Sequence, residues 1–180
     1  MQITIISAQS VDGFITQPGV AGTAFTSEED RAHFQSTLAG YDCSVMGAET
    51  YRVARDFIRP RLTSQRCRHV LSRNPMAFSD DQVPGQLEFS SHPVPELVAT
   101  LRGRGFKNCA ILGGAFIHSL FLAERLVDRL ILTVEPRLFG GGVPFLRLPT
   151  DIHLALERHE TLGTGSTLLL TYRVLPKQSA

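Results

Sequence analysis

Hydrophobic positions along the chain fall into short continuous runs, separated by glycine-rich turns and by segments with helical spacing. Gln2 to Ala8 is β-branched and almost continuously apolar, which predicts a strand buried on both faces of a parallel sheet. After a loop, Thr26 and Glu29 form a capping box, and Phe34 and Leu38 recur four residues apart until Gly40, which predicts a helix over Ser27 to Ala39. Cys43 to Met46 is a strand closed by Gly47, and Glu49 to Ala54 is helical, giving a strand, glycine turn and helix in succession. The same unit recurs where Cys109 to Leu112 runs into Gly113 and Gly114 and then into the apolar helix Ala115 to Glu124.

Between these units, His69 to Ser72 and Leu87 to Ser90 read as short strands around a turn-rich stretch, Asn74 to Gly85. Pro95 stands where a first helical residue would, ahead of the apolar stripe Leu97, Val98 and Leu101 and of Gly103. Leu126 to Leu138 reads as one long strand, Gly140 to Gly142 as a loop, and His153 to Glu160 with Thr167 to Leu175 as a terminal hairpin around Gly163 and Gly165. Strands alternating with helices and closing in a hairpin describe one three-layer α/β domain over residues 1–180, with a mixed, mostly parallel sheet.

Composition narrows the function. Hydrophobic residues at 43% and charged residues at 19% fit an ordinary globular domain, and a net charge of +1 supplies no global field for nucleic acid or an anionic membrane. An anionic ligand must then be held by local groups. Cys43, Cys67 and Cys109 are odd in number and begin apolar runs, so they read as small core residues of a protein in a reducing compartment. The N-terminus has no basic segment followed by an apolar one, and no apolar run approaches the ~18 residues of a membrane span, so a cytosolic protein is expected.

Ligands of open parallel sheets gather beyond the carboxyl ends of the strands, where helix N-termini present free N–H groups. Both glycine turns lie at that edge. Gly113, Gly114 and Ala115 would let a pyrophosphate approach the backbone, and Thr50, three residues after Gly47, could donate to a phosphate oxygen; two ordinary tight turns are the alternative. Leu71, Ser72 and Arg73 end a third strand there, with a hydroxyl and a guanidinium suited to a phosphate dianion such as the 2′-phosphate of NADPH. Seven arginines between Arg52 and Arg73 otherwise read mostly as a solvated surface. Asp12, Asp30 and Glu135 are candidate proton donors or substrate ligands, although a turn at Asp12-Gly13, a helix-dipole role for Asp30 and an arginine partner for Glu135 explain them equally well. The histidines have no metal-ligand spacing, and His118, inside an apolar helix, reads as a satisfied core residue; no metal is assigned.

Five segments, Ser10-Val11-Asp12-Gly13, Met46-Gly47-Ala48-Glu49-Thr50-Tyr51, Leu71-Ser72-Arg73, Gly113-Gly114-Ala115 and Phe139-Gly140-Gly141-Gly142, occur in the order seen in dihydrofolate-reductase-like proteins. Val127-Asp128-Arg129-Leu130 and the stretch Pro136 to Gly142 look closest to the pyrimidine reductases of riboflavin biosynthesis, the RibD C-terminal domain family. Folate reductase fits less well, since the chain has no Trp and Ala48 stands where an arginine usually follows Met-Gly. The resemblance implies a homodimeric NADPH-dependent reductase. Gly47, Thr50, Leu71, Ser72, Arg73, Gly113, Gly114 and Ala115 would form the cofactor site, with Ala8 facing the nicotinamide. Ser27 and Arg31 would fall on the substrate side, and Asp12, with Glu135 second, would supply the proton. The implied substrate is a ribosylaminopyrimidine phosphate whose sugar is reduced. The chain departs from that pattern at Leu38-Ala39-Gly40 and at Arg55-Asp56-Phe57. Reduction of another carbonyl or imine, or dinucleotide binding without catalysis, are the competing readings.

Overall fold

The structure is a computed structural model that describes residues 1–163 and 165–177; the ends of the predicted 1–180 domain, residues 178–180, lie outside the described residues. Its strands are β1 (Gln2–Ser10), β2 (Cys43–Gly47), β3 (Cys67–Leu71), β4 (Leu87–Ser90), β5 (Asn108–Ile111), β6 (Arg129–Glu135), β7 (Leu154–Thr161) and β8 (Leu168–Val174). The helices are α1 (Glu28–Leu38), α2 (Ala48–Ile58), α3 (Val94–Gly103) and α4 (Ala115–Ala123). The strands form one sheet in the order β4-β3-β2-β5-β1-β6-β8-β7. The first six are parallel to their neighbours, and β8 inserts antiparallel between β6 and β7. This is the mixed, mostly parallel sheet with a closing hairpin that the sequence predicts.

Alternation along β2 divides the core. Cys43 and Val45 join Ile3, Ile5, Cys109 and Ile111 under α3 and α4, whose Leu97, Val98, Leu101 and Phe121 cover that face. Met46 points the other way, to a smaller cluster with Tyr51 and Ile58 of α2, Val70, Phe78 and Leu87. The three cysteines are free and buried in one register row on adjacent strands, with Cys43 facing both Cys67 and Cys109. Among the described residues no helix is long and apolar enough to cross a membrane.

Several boundaries differ from the sequence reading for local reasons. The cap of α1 is Ser27, whose Oγ accepts from the Asp30 amide at 3.2 Å; Thr26 belongs to the preceding turn, donating its own amide to the Thr23 carbonyl. The long strand expected over Leu126 to Leu138 is ordered as β6 only from Arg129 to Glu135, because Asp128 turns back to accept the Ile3 amide at 2.7 Å and Pro136 ends the ladder. α3 begins one residue before Pro95, and the turn-rich stretch contains a 3₁₀ segment, Pro75–Asp81, that buries Phe78.

α2 runs four residues beyond the predicted Ala54 and into a 3₁₀ turn at Arg59–Arg61. Asp81 explains the extension. Its carboxylate accepts from Tyr51 Oη at 2.8 Å, from Arg55 Nε at 2.8 Å and Nη2 at 2.5 Å, and from Arg59 Nη1, tying the end of α2 to the 3₁₀ segment. The Arg55 guanidinium is the main cause that holds the Asp81 pKa down, to about 2. With its pKa depressed, this carboxylate stabilises the fold fully above the ordinary aspartate range near ~4, and the contribution is lost as pH falls through about 2. Asp81→Asn is therefore expected to lower unfolding free energy at pH 7 by about 1.5–3 kcal/mol, the usual range for hydrogen bonds to charged groups, with a smaller difference at pH 2. Urea unfolding at the two pH values checks this, and an equal difference at both would contradict the charged role.

Candidate active site

The two glycine turns meet at the carboxyl edge of the sheet, where the Gly47 amide donates to the Gly113 carbonyl at 2.8 Å. Gly47 is the N-cap of α2 and Gly114 the N-cap of α4, and neither helix start has a side-chain cap. At α4 the Gly114 carbonyl takes the Ile117 and His118 amides, and the earlier N–H groups at the two adjacent helix starts lack intrahelical acceptors, an arrangement that suits a pyrophosphate. Space is limited at each turn. A Cβ on Gly47 would come 3.1 Å from Ile117, one on Gly113, where φ is +96°, would come 3.1 Å from His118 Nε2, and one on Gly114 would come 3.5 Å from Thr50 Oγ1. The Gly113–Gly114 peptide is cis.

A cleft of about 2050 Å³ opens over this edge and continues down the sheet face between α1 and α2. Of the predicted site residues, Ala8, Gly47, Thr50, Leu71, Ser72 and Arg73 line it. So do Gly114, Ala115 and Arg31, while Gly113 forms the turn behind them. Ser72 Oγ accepts from the Asn74 amide at 3.1 Å, and the Arg73 side chain, exposed beside it, has no ion pair or hydrogen bond among the described residues. Arg31 donates to the Thr26 carbonyl at 2.7 Å. A loop with Gly19, Val20 and Gly22 forms the wall opposite Val53 of α2.

The carboxylates are placed differently from the sequence expectation. Asp12 does not line the cleft: it accepts from Ser10 Oγ at 2.5 Å and from the amides of Phe139 at 3.0 Å and Gly140 at 2.7 Å. The Ser10 hydroxyl leads the causes that lower its pKa, so it is a poor proton donor and a good loop anchor. Glu135 is buried and fully engaged, accepting from the Ser27 amide at 2.8 Å, Ser27 Oγ at 3.0 Å and Thr167 Oγ1 at 2.9 Å. Ser27 is consequently used up as helix cap and Glu135 partner, and neither residue lines the cleft. Of the three acids singled out in the sequence, the one that does is Asp30, 7% exposed, whose pKa is raised first by burial, against the Thr133 hydrogen bond, and further by the nearby Glu135 charge.

Asp30 was legible only indirectly. It stands four residues before Phe34 and eight before Leu38, on the apolar stripe of α1, and an acid on an inward stripe is either buried or ligand-facing. His118 meets the expectation of a core histidine in part: burial lowers its pKa to about 4 and Nδ1 lies 3.2 Å from the Phe145 carbonyl, but Nε2 has no partner among the described residues.

Comparison with known proteins adds to this geometry. The chain is 25% identical over 147 residues to the uncharacterized protein YwjB of Bacillus subtilis, covering 80% of each. It is 26% identical over 156 residues to the riboflavin biosynthesis protein RibD of Corynebacterium ammoniagenes, covering 82% of this chain and 46% of that protein, so it spans about half of that relative. The crystal structure of a pyrimidine reductase-like protein from Corynebacterium diphtheriae superposes with a TM-score of 0.77 at 19% identity, covering 98% of this chain and 92% of the other, a likeness of fold. Residues 1–168 match the family model of the RibD C-terminal domain, and the chain belongs to that family.

Proposed function

We propose that this protein is an NADPH-dependent reductase of a pyrimidine-type substrate, of the kind that reduces 5-amino-6-(5-phosphoribosylamino)uracil in riboflavin biosynthesis. The observation that carries the reading is the pair of uncapped helix starts at Gly47 and Gly114, side by side in one cleft with Thr50, Ser72 and Arg73. The peptide N–H groups and Thr50 hold the pyrophosphate, Ser72 and Arg73 hold the 2′-phosphate, and the small Ala8 leaves room for the nicotinamide over β1. NADPH bound there supplies a hydride. The chain's part is to position the acceptor carbon, exclude water and manage one proton.

That proton belongs to Asp30. Its raised pKa keeps the carboxyl protonated to higher pH than an ordinary aspartate, and it lines the cleft together with Thr26 and Thr133. Asp12 acts at one remove, anchoring Phe139 and Gly140 beside the end of β1, and Glu135 fixes the start of α1 through Ser27. Arg31 borders the substrate side. The buried free thiols support work in the reducing cytosol, and the exposed Leu154, Leu156 and Leu168 of the hairpin support a homodimer.

Four outcomes test this reading. Arg73→Ala is expected to weaken NADPH by about 1.5–3 kcal/mol while leaving NADH nearly unchanged, and equal loss in a binding titration would contradict the 2′-phosphate assignment. Asp30→Asn should bind NADPH normally but lose roughly 10²-fold or more in turnover. Wild-type turnover should decline as rising pH deprotonates Asp30, and a rate independent of pH in both proteins would remove Asp30 from proton transfer. Light scattering should give twice the chain mass, and a single 19.8 kDa species at micromolar concentration would exclude the dimer.

A further inference from the structure

On the sheet face that α3 covers, across from the cleft, β3 and β4 bring a serine, a histidine and a glutamate together at the edge of the sheet. His69 is paired with Val45 on one side and with Glu88 on the other, and Ser90, two residues after Glu88 on β4, projects to the same face. His69 is 6% exposed. Its Nε2 lies 2.7 Å from Ser90 Oγ, and its Nδ1, 3.8 Å from Glu88 Oε2, has no hydrogen-bond partner among the described residues.

The neighbours decide where the protons sit. Because Nδ1 faces a carboxylate, the ring hydrogen belongs on Nδ1; the other tautomer would aim a lone pair at that charge. Nε2 is then an acceptor, and the Ser90 hydroxyl, itself accepting the His92 amide at 3.4 Å, donates to it. At 3.8 Å the contact with Glu88 is Coulombic, too long for a hydrogen bond. The glutamate is held firmly: Arg104 donates to Oε2 from Nη1 at 2.6 Å and to Oε1 from Nη2 at 3.0 Å, and the Gly85 amide adds a bond of 2.9 Å. Burial is the main cause that lowers the His69 pKa, to about 4, so the ring is neutral at pH 7 and Nε2 is free to take a proton.

A hydroxyl bonded to a neutral imidazole that a carboxylate steers is the arrangement that activates a serine, and its roles define it on any fold. The three residues line their own cavity of about 280 Å³, which Phe89, Leu97 and Leu101 make partly apolar. We propose that Ser90, His69 and Glu88 form a nucleophilic centre that takes a short acyl group from an ester, independently of what binds in the cleft. Ser90 Oγ attacks the ester carbonyl carbon while its proton passes to His69 Nε2. The carbon–oxygen bond to the alcohol then breaks, and the leaving oxygen takes that proton. Water, giving a proton to the same nitrogen, cleaves the acyl-serine to the free acid, and the proton returns to Ser90 Oγ. Gln82 and Arg104 border the cavity as donors for the developing oxyanion. The cavity is smaller than the roughly 300–1,000 Å³ of pockets for drug-sized ligands, which favours a short acyl chain.

The test treats wild type, Ser90→Ala, His69→Gln and Glu88→Gln with p-nitrophenyl butyrate and, separately, with a fluorophosphonate, a reagent that captures activated serines, and locates the adduct by peptide mass spectrometry. Wild type is expected to release p-nitrophenol and to carry a single phosphonyl group, on Ser90. Ser90→Ala should lose both reactions, and His69→Gln should react roughly 10²-fold more slowly, as when a positioned general base is removed. Glu88→Gln should fall between, since the imidazole keeps its place and loses its charge partner. Melting curves identify any variant that does not fold; Ser90→Ala removes only a half-buried oxygen and carries the test if His69→Gln unfolds. The proposal is overturned if folded wild type leaves Ser90 unmodified, if Ser90→Ala releases p-nitrophenol as fast as wild type, or if folded His69→Gln labels Ser90 at the wild-type rate. The Ser90–His69 bond would then serve only to satisfy a buried ring.

Discussion

The hydrogen bond from the Gly47 amide to the Gly113 carbonyl joins two turns that are 66 residues apart in sequence and fixes the starts of α2 and α4 beside each other. It forms because β2 and β5 are parallel neighbours, so both strands deliver their glycines to the same edge. Each glycine has little room for a side chain, and neither helix start is capped by one. Glu49 in the first turn of α2 would oppose an anion, but it is paired with Arg52. Everything proposed for the cofactor depends on this convergence.

A second constraint organises the start of α1 and the cleft wall beside it. Two acids, Asp30 and Glu135, are buried close enough for the charge of one to raise the pKa of the other. Glu135 spends both oxygens on Ser27 and Thr167, whereas Asp30 lines the cleft and burial raises its pKa. The helix cap, the buried glutamate and the cleft-facing aspartate are thus one connected device, spanning β1's neighbour β6, the start of α1 and the hairpin.

Periodicity revealed most of the elements because strands buried on both faces leave continuous apolar runs, as in β1, β2 and β5, and because glycine turns punctuate them. It misjudged the ends where a side chain from elsewhere decides them: Asp128 shortens β6 by turning to Ile3, and Asp81 lengthens α2 through Arg55 and Arg59. The meeting of the two glycine turns at the carboxyl edge, with Thr50, Ser72 and Arg73 beside them, was readable because these residues stand directly at strand ends. The acids were not, because whether Asp12, Asp30 or Glu135 faces the cleft depends on loops and strands more than 100 residues away.

The central claim is that the uncapped helix starts at Gly47 and Gly114 hold the diphosphate of a dinucleotide. Amide-resolved NMR during an NADPH titration tests it most directly. The account predicts that the amide resonances of Ala48, Glu49, Ala115 and Phe116 shift together and saturate at one equivalent of NADPH, while that of Gly85, whose amide is bonded to Glu88 on the far edge strand, stays in place. Saturating NADPH that leaves the four helix-start amides unmoved would contradict it.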